Sequence, residues 1–575
     1  MKDSYDLETN VLDEESCINL STGSETEYDD DLQIDEKGLV TFKESSLSKT
    51  RNWSFKKKIL YTVSYSFVTF AAQFNSTTTS SKYFFEEMTK NYNIPREVSL
   101  LTISLYIMGI AFGPMIFAPL SEVYGRKNGV LVPFFISCIF TFATSISYNV
   151  PSIMICRFFS GFFAGAPIVS AGGVLADLWD PAFRGVAFAL YACFVANGAS
   201  FGPVISSLLT HSNSSDQSWR IAQYFCGLCE LVLFLIMYIF TEETFEPIIL
   251  RKIVKKERVK TDNWILHTRS DAVYLDWRKL ISTHVTRPFI MLTIPIVFTM
   301  ALFASYVYGL FYLMITNIST AYELTRGWEG TKTEVPNVSL FIGVFLGCVG
   351  NMIWALKYSE KVKHNNGEAI PEERFPIMMI LGWLMPAGIF IFGWTSYMKI
   401  HWIVPCIGIM MIGCGFITIF QGCLNYLVDS YPRYAASAIA ANTFLRSVFA
   451  AVFPLFAKQL FVNLGVHWGS SLVGFIALGM IPIPFVLYIS AERMRTKRID
   501  KLQGLEENKS VFDVSPDAIN FYRYTFSMSD PTLALVGNTY GVFFFNRVES
   551  QAAAIAGVWN NQPKLFTVKE LIVHS

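Results

Sequence analysis

Apolar residues along this chain gather in runs of about twenty, the length a helix needs to cross the hydrocarbon of a bilayer. Such runs cover roughly 59–79, 98–120, 128–148, 151–177, 185–210 and 221–241, and then, after a polar stretch, 287–315, 337–356, 376–397, 400–428, 434–462 and 468–490. The pattern predicts an all-α membrane protein of twelve transmembrane helices, six on each side of a polar connector, because backbone polar groups in lipid must be satisfied within their own segment. Five regions follow: a disordered acidic tail at 1–58, a six-helix bundle at 59–241, a connector at 242–286, a second six-helix bundle at 287–490 and a second tail at 491–575.

Lys and Arg collect in alternate connectors: Arg51 and Lys56–Lys58, Arg126 and Lys127, Arg184, the 242–286 connector, Lys357 to Arg374, Arg433, and Arg493 to Arg498. Twelve spans put all of these on one face, and the excess of positive charge predicts that this face, with both termini, is cytoplasmic. Two N-x-[ST] sequons, at Asn213 and Asn317, then fall in connectors of the other face.

Composition agrees with burial in lipid: 52% of the 575 residues are hydrophobic and 16% charged, against about a quarter charged in soluble domains. The zero net charge conceals an acidic head, with Asp13-Glu14-Glu15 and Asp29-Asp30-Asp31, too poor in apolar residues to fold alone. The tail beyond about 503 is mixed in polarity, and its apolar piece near Tyr540–Phe545 is too short to span. Cysteines such as Cys138, Cys156, Cys193 and Cys423 sit inside apolar runs, where they serve as small packing residues. No His-Glu-x-x-His, Gly-x-Ser-x-Gly or Walker pattern occurs, which argues against an enzyme and against ATP as an energy source within this chain.

Three stretches carry candidate chemistry. Between the second and third spans, Pro119-Leu120-Ser121-Glu122-Val123-Tyr124-Gly125-Arg126-Lys127 combines a glycine for a sharp turn with an acid able to meet a helix N-terminus or an arginine. That is a latch that opens and closes, or else an ordinary basic turn. The fourth span holds Arg157, expensive in lipid unless it faces a polar interior or snorkels to the near end, and then Gly161 and Gly165, four apart, which permit close helix contact. The fifth reads Gly198-Ala199-Ser200-Phe201-Gly202-Pro203, whose proline frees a carbonyl one turn back. The two halves also echo each other. Asp177-Leu178-Trp179 leads to Arg184-Gly185, and Asp429-Ser430-Tyr431-Pro432 leads to Arg433, as in transporters built from repeated units.

Taken together these motifs resemble the major facilitator superfamily, and within it the fungal twelve-span drug:proton antiporters that include polyamine and cycloheximide-resistance carriers. Lys361 to Gly367 with Pro371-Glu372-Glu373-Arg374, Asn442-Thr443-Phe444-Leu445-Arg446 and Phe453-Pro454-Leu455-Phe456 extend the likeness over about 55–500. The resemblance implies the major facilitator fold of two six-helix pseudo-repeat bundles. It also implies a conformational latch at Glu122, Gly125, Arg126, Asp177, Arg184 and Asp429, proton coupling at Arg157, and an antiporter motif at Gly198, Gly202 and Pro203. Glu122 stands where the superfamily has aspartate, and Ser206-Ser207 where paired glycines are usual.

Within the spans the charged candidates for handling substrate and protons are Arg157, Glu230, Arg446 and Lys458. Glu230 is the acid placed well inside a predicted span, where burial penalises its charge; it is a proton carrier or the cap of a wet pocket. Tyr306, Tyr308 and Tyr312 are read as one face of the seventh span. A substrate site is expected from Tyr191, Glu230, Tyr308, Tyr312, Gln421, Asn425 and Arg446, stacking on and hydrogen bonding to an aromatic or amphipathic guest. Few acids against several cations tilt the reading from polyamines towards neutral or amphipathic compounds. The expected function is proton-coupled export of small organic molecules by alternating access, with an importer or a non-transporting sensor as rivals. The expected setting is a monomer in the plasma membrane, with substrate, protons and lipid as partners and with no nucleic acid, metal or cofactor.

Overall fold

The computed structural model describes residues 31–35, 38–211, 217–268, 271, 277–365, 369–431 and 435–489, and two short strands at Phe526–Ser527 and Asp530–Ala534. The Asn213 sequon, Arg433, the acidic runs before Asp31 and the tail beyond 489, those strands apart, lie outside the described residues.

The first half is built from α1 (Phe55–Thr77), α2 (Lys82–Tyr92), α3 (Arg96–Val123), α4 (Arg126–Ile146), α5 (Val150–Leu178), α6 (Pro181–His211) and α7 (Trp219–Phe240). After α8 (Glu246–Thr261) and α9 (Trp277–Leu292) come α10 (Pro295–Arg326), α11 (Asn337–His364), α12 (Phe375–Leu381), α13 (Leu384–Thr395), α14 (Ile403–Ser430) and α15 (Ala435–Met480). Among the described residues ten helical segments are long and apolar enough to cross a bilayer. The last of these holds two spans, because Gly465, with φ at 74°, folds α15 into a tight hairpin. The remaining span is α1, whose polarity has a structural cause. Thr62, Ser66 and Thr69 are buried and return their hydroxyls to carbonyls of their own helix, Lys58 (2.8 Å), Thr62 (2.6 Å) and Tyr65 (3.3 Å), so each is satisfied without water. The total is twelve spans in two bundles of six, which pack against each other through α6 with α11 and α3 with α15.

Three expectations need correction. The seventh span, read as 287–315, is Pro295–Arg326. The apolar run continues through the break at Thr293-Ile294, but Pro295 fixes the helix start, and at the other end Thr316, Asn317, Ser319 and Thr320 are buried within the helix. The Asn317 sequon is therefore no surface loop: its amide donates to the Leu313 carbonyl at 3.1 Å and leaves no room for a glycan. The ninth span is also broken, because Pro386 has no N–H for the Gly382 carbonyl.

The third correction concerns the tail. The stretch 1–58 was expected to be disordered throughout, yet Leu32–Ile34 and Val40–Phe42 pair as an antiparallel hairpin. Leu32, Val40 and Phe42 bury against Val254 of α8 and Leu266, and Val40 N donates to the His267 carbonyl at 2.9 Å. The connector supplies the apolar face that the head lacks. Thr50 then donates to the Asp177 carbonyl at 3.2 Å, joining the tail to the first bundle.

Candidate functional site

Polar residues converge on the middle of the first bundle. Glu230 of α7 is fully buried; Asn75 Nδ2 donates to its Oε1 and Thr141 Oγ1 to its Oε2, each at 2.9 Å. Arg157 of α5 is also fully buried and does not snorkel. Its guanidinium donates to Asn75 Oδ1 (2.8 Å), to the carbonyls of Thr102 (3.2 Å), Asn75 (3.1 Å) and Ser76 (3.2 Å), and to Thr79 Oγ1 (3.2 Å), while lying 4.5 Å from the centre of the Tyr106 ring. Asn75 is thus the bridge: its oxygen accepts from the arginine and its nitrogen donates to the glutamate. Asn75 carries the relay yet was absent from the sequence reading; the run Gln73-Phe74-Asn75-Ser76-Thr77 at the end of an apolar span was its signal. Cys226 and Cys229, with Cys-x-x-Cys spacing beside Glu230, are free thiols.

The same turn of α1 touches the other bundle. Gln73 Nε2 donates to the Tyr308 hydroxyl and accepts at Oε1 from Tyr312, both at 3.2 Å, and Ser76 Oγ lies 3.0 Å from the Tyr312 hydroxyl. Arg446 of α15 stands over the rings of Tyr308 (4.8 Å) and Phe420 (5.0 Å). Tyr308, Tyr312 and Arg446 are therefore brought together, and Tyr191, whose hydroxyl donates to the Ile168 carbonyl of the first bundle, lies within electrostatic reach of Arg446 and Tyr308. Other members of the set are elsewhere. Gln421 accepts from Asn351 at 2.8 Å inside the second, with Asn425 half-buried one turn on. Glu230 lies in the relay, on the far side of α1 from the tyrosines. Tyr306 turns away to the Val473 carbonyl at 2.9 Å, because residues two apart on a helix point in nearly opposite directions. Lys458 is half-buried.

On the basic face the two halves repeat one ion pair. Arg126 Nε meets Asp177 Oδ2 at 3.1 Å, at the start of α4 and the end of α5; Arg374 Nε meets Asp429 Oδ2 at 2.8 Å, between the ninth and tenth spans. The repeat seen in sequence is real, but the partners of the two aspartates are these arginines. Arg184 instead donates to the Ala176 carbonyl at 3.3 Å. Glu122 is a distant second neighbour of Arg126 at 3.8 Å, and the acid at the α4 N-terminus is Glu243, which accepts from the backbone N–H of Arg126 (2.7 Å) and Lys127 (3.3 Å). Gly125 turns the chain there with φ at 94°, and a Cβ on it would lie 2.2 Å from Glu243 Oε2.

The fifth-span motif packs α6 on α1. A Cβ at Gly198 would fall 2.5 Å from the Phe70 carbonyl oxygen, and one at Gly202 2.0 Å from Thr77 Oγ1. Pro203 leaves the Ala199 carbonyl without its helical partner, and Thr77 donates to it at 2.8 Å. Ser206, at the first of the two positions where the resemblance leads one to expect glycines, lies in contact with Ser81, Oγ to Oγ at 3.1 Å.

On the opposite face, polar contacts cross between halves. Lys82 Nζ meets Glu323 Oε1 at 2.9 Å, Lys82 N donates to buried Glu334 at 3.3 Å, and Arg96 donates to Thr320 at 3.1 Å. Of the described ion pairs, Lys82–Glu323 is the one that joins the halves. Burial alone would lower the Lys82 ammonium, but the hydrogen bond and charge of Glu323 outweigh it and hold it above the usual lysine value. The tie is therefore complete at neutral pH and is lost only as pH rises through that raised value. Half-exposed pairs are worth about 0.2–1 kcal/mol. Lys82→Glu is expected to speed labelling of a cysteine placed at buried Thr316 by about two- to fivefold, with Lys82→Glu/Glu323→Lys returning it to the parent rate; equal rates in all three proteins would show that this pair does not hold the face shut.

Residues 65–454 match the family model of the Major Facilitator Superfamily. The chain is 35% identical to the efflux pump bik6 of Gibberella fujikuroi, over 79% of this chain and 93% of that one. It is 37% identical to the multidrug transporter FLU1 of Candida albicans, over 78% of this chain and 73% of the relative. Its fold is similar to a partially occluded, inward-open structure of the xylose transporter XylE from E. coli, with TM-score 0.51, 14% identity, and coverage of 73% of this chain and 96% of that one.

Proposed function

The chain belongs to the major facilitator superfamily and, within it, to the fungal twelve-span drug:proton antiporters, and on that premise we propose that it exports small, amphipathic organic molecules in exchange for protons. It is a membrane transporter of small molecules rather than an enzyme. The observation that carries the proposal is one turn of α1. Asn75 joins Glu230 to Arg157, while Gln73 and Ser76 on either side hold Tyr308 and Tyr312 of the other bundle. A proton arriving on Glu230 removes the charge that Asn75 and Thr141 solvate. Any resulting shift of Asn75 moves the helix turn that seals the halves together, which couples protonation to rocking.

In this reading the basic face is cytoplasmic, as the distribution of Lys and Arg favours, in the plasma membrane. The paired Arg126–Asp177 and Arg374–Asp429 contacts brace each half as it tilts. The energy comes from the proton gradient, to which the membrane potential adds about 2.3 kcal/mol per charge per 100 mV. A single chain suffices, since both halves of the site come from it. The relatives named as an efflux pump and a multidrug transporter support outward movement. Polyamines fit less well, because Glu230, the acid inside a span, is already engaged by Asn75 and Thr141.

Inside-out vesicles separate the directions. An acid lumen is expected to drive accumulation of an exported compound, and collapse of the gradient to release it. Accumulation driven instead by an alkaline lumen would make the protein an importer, and gradient-independent behaviour would remove proton coupling.

A further inference from the structure

The described residues include five buried arginines, and four of them donate to acceptors within the protein. Arg157 has the acceptors given above, Arg220 donates to the carbonyls of Ser145 (2.6 Å) and Ser147 (2.8 Å) though its Nε has no partner, and Arg126 and Arg374 have their aspartates. Arg446 is different. It is 5% exposed, its Nε has no hydrogen-bond partner, no described carboxylate pairs with it, and its neighbours include the faces of Tyr308 and Phe420, with the Tyr191 hydroxyl within electrostatic reach. One turn earlier on α15, Asn442 is fully buried, and both its side-chain nitrogen and its side-chain oxygen lack partners. Residues four apart share a helix face. A buried amide left unpaired costs about 1–3 kcal/mol, and a buried charge costs more. Two such groups side by side define a place built for something that supplies acceptors.

We propose that Arg446 and Asn442 form the polar pole of the substrate site and receive an anionic group, a carboxylate or one of similar shape, borne on an aromatic body. The guanidinium offers a two-pronged donor edge suited to a carboxylate, and the Asn442 amide offers one further donor. The aromatic body finds its wall in Tyr308 and Phe420, backed by the stacked and fully buried pair Phe311–Phe416, whose ring centres are 4.0 Å apart. A cationic guest would meet Arg446 with no acid to balance it. This assignment rests on the transport reading above and names the class of substrate that the same site takes.

The test uses the full-length protein in lipid nanodiscs and equilibrium dialysis of three labelled probes on one skeleton: 2-naphthoate, methyl 2-naphthoate and 2-naphthylmethylamine, with and without chloride. The acid is expected to bind at least about tenfold more tightly than either the ester or the amine. Arg446→Gln is expected to erase that preference by weakening the acid at least about tenfold more than the ester, and Arg446→Lys to keep part of it. The comparison of probes on the unaltered protein needs no variant to fold. Equal or weaker binding of the acid, or no binding of any probe, overturns the proposal. So does displacement of the acid by chloride at physiological concentration, which would mark an inorganic-ion site. Binding is scored without transport. A protein that selects the acid yet fails in the vesicle assay refutes export alone; one that pumps neutral compounds and ignores acids refutes the anion site alone.

Discussion

Replacing Glu230 with glutamine is expected to abolish gradient-driven accumulation in proteoliposomes while substrate binding remains. The glutamine fits the same space and keeps hydrogen-bonding contact with Asn75 and Thr141, which hold the carboxylate at 2.9 Å on both oxygens. What it loses is the ability to take and release a proton. Glu230→Ala is the harsher change, because it opens a cavity and takes the carboxylate from the Asn75 amide and the Thr141 hydroxyl, which keep each other and the Ser137 carbonyl; a buried polar group left short of a partner costs about 1–3 kcal/mol. The alanine variant should therefore lose stability as well as transport, and the glutamine variant transport alone. Asn75→Leu should resemble the alanine variant, since it strips one acceptor from Arg157 and one donor from Glu230 at once. Undiminished accumulation by Glu230→Gln would take this carboxyl out of the proton route.

How far the sequence could lead depends on which physical quantity each feature obeys. Spans are a matter of summed hydropathy over about twenty residues, so their number and order were legible. Their ends were not always legible, because hydropathy does not register a break such as Thr293-Ile294 between two apolar helices, and it reads buried Thr316 to Thr320 as a loop. Arg157 and Glu230 announced themselves because charges inside spans are rare. Asn75 did not, being uncharged and near a helix end, and its partners lie 82 and 155 residues away along the chain. The Asp177 and Asp429 echo was visible as a repeated pattern, but the pattern named no partner for either aspartate. Pairing depends on how helix ends meet across a bundle, so Arg126 reaches Asp177 over 51 residues while Arg184 turns to a backbone carbonyl. The hairpin in the head was hidden for a related reason: its three apolar residues form a core only together with the distant connector.

The glycines of the fourth span lead to the prediction with the largest effect on folding. Gly161 and Gly165 of α5 face Gly109 and Gly113 of α3, so each helix presents a groove to the other's backbone. A Cβ at Gly161 would sit 2.0 Å from the Tyr106 carbonyl oxygen, one at Gly109 2.3 Å from that of Phe158, and one at Gly113 2.2 Å from that of Phe162. The obstructing atoms are main chain within helices, which cannot rotate aside as a side chain does. An overpacked core that can relax costs about 1–3 kcal/mol, and Gly161→Val must exceed that, since the helices themselves have to separate. Separation also pulls Arg157, one turn before Gly161, away from the Thr102 carbonyl on α3 and leaves a guanidinium donor unpaired. Gly161→Val is therefore expected to lose the monodisperse peak in detergent size-exclusion chromatography, whereas Gly172→Ala on the same helix, whose Cβ would have Phe188 at 3.6 Å as its nearest neighbour, should behave as the parent. If Gly161→Val ran as a stable single species with the parent's melting temperature, the close α3–α5 crossing, and with it the placement of Arg157 in the relay, would be wrong.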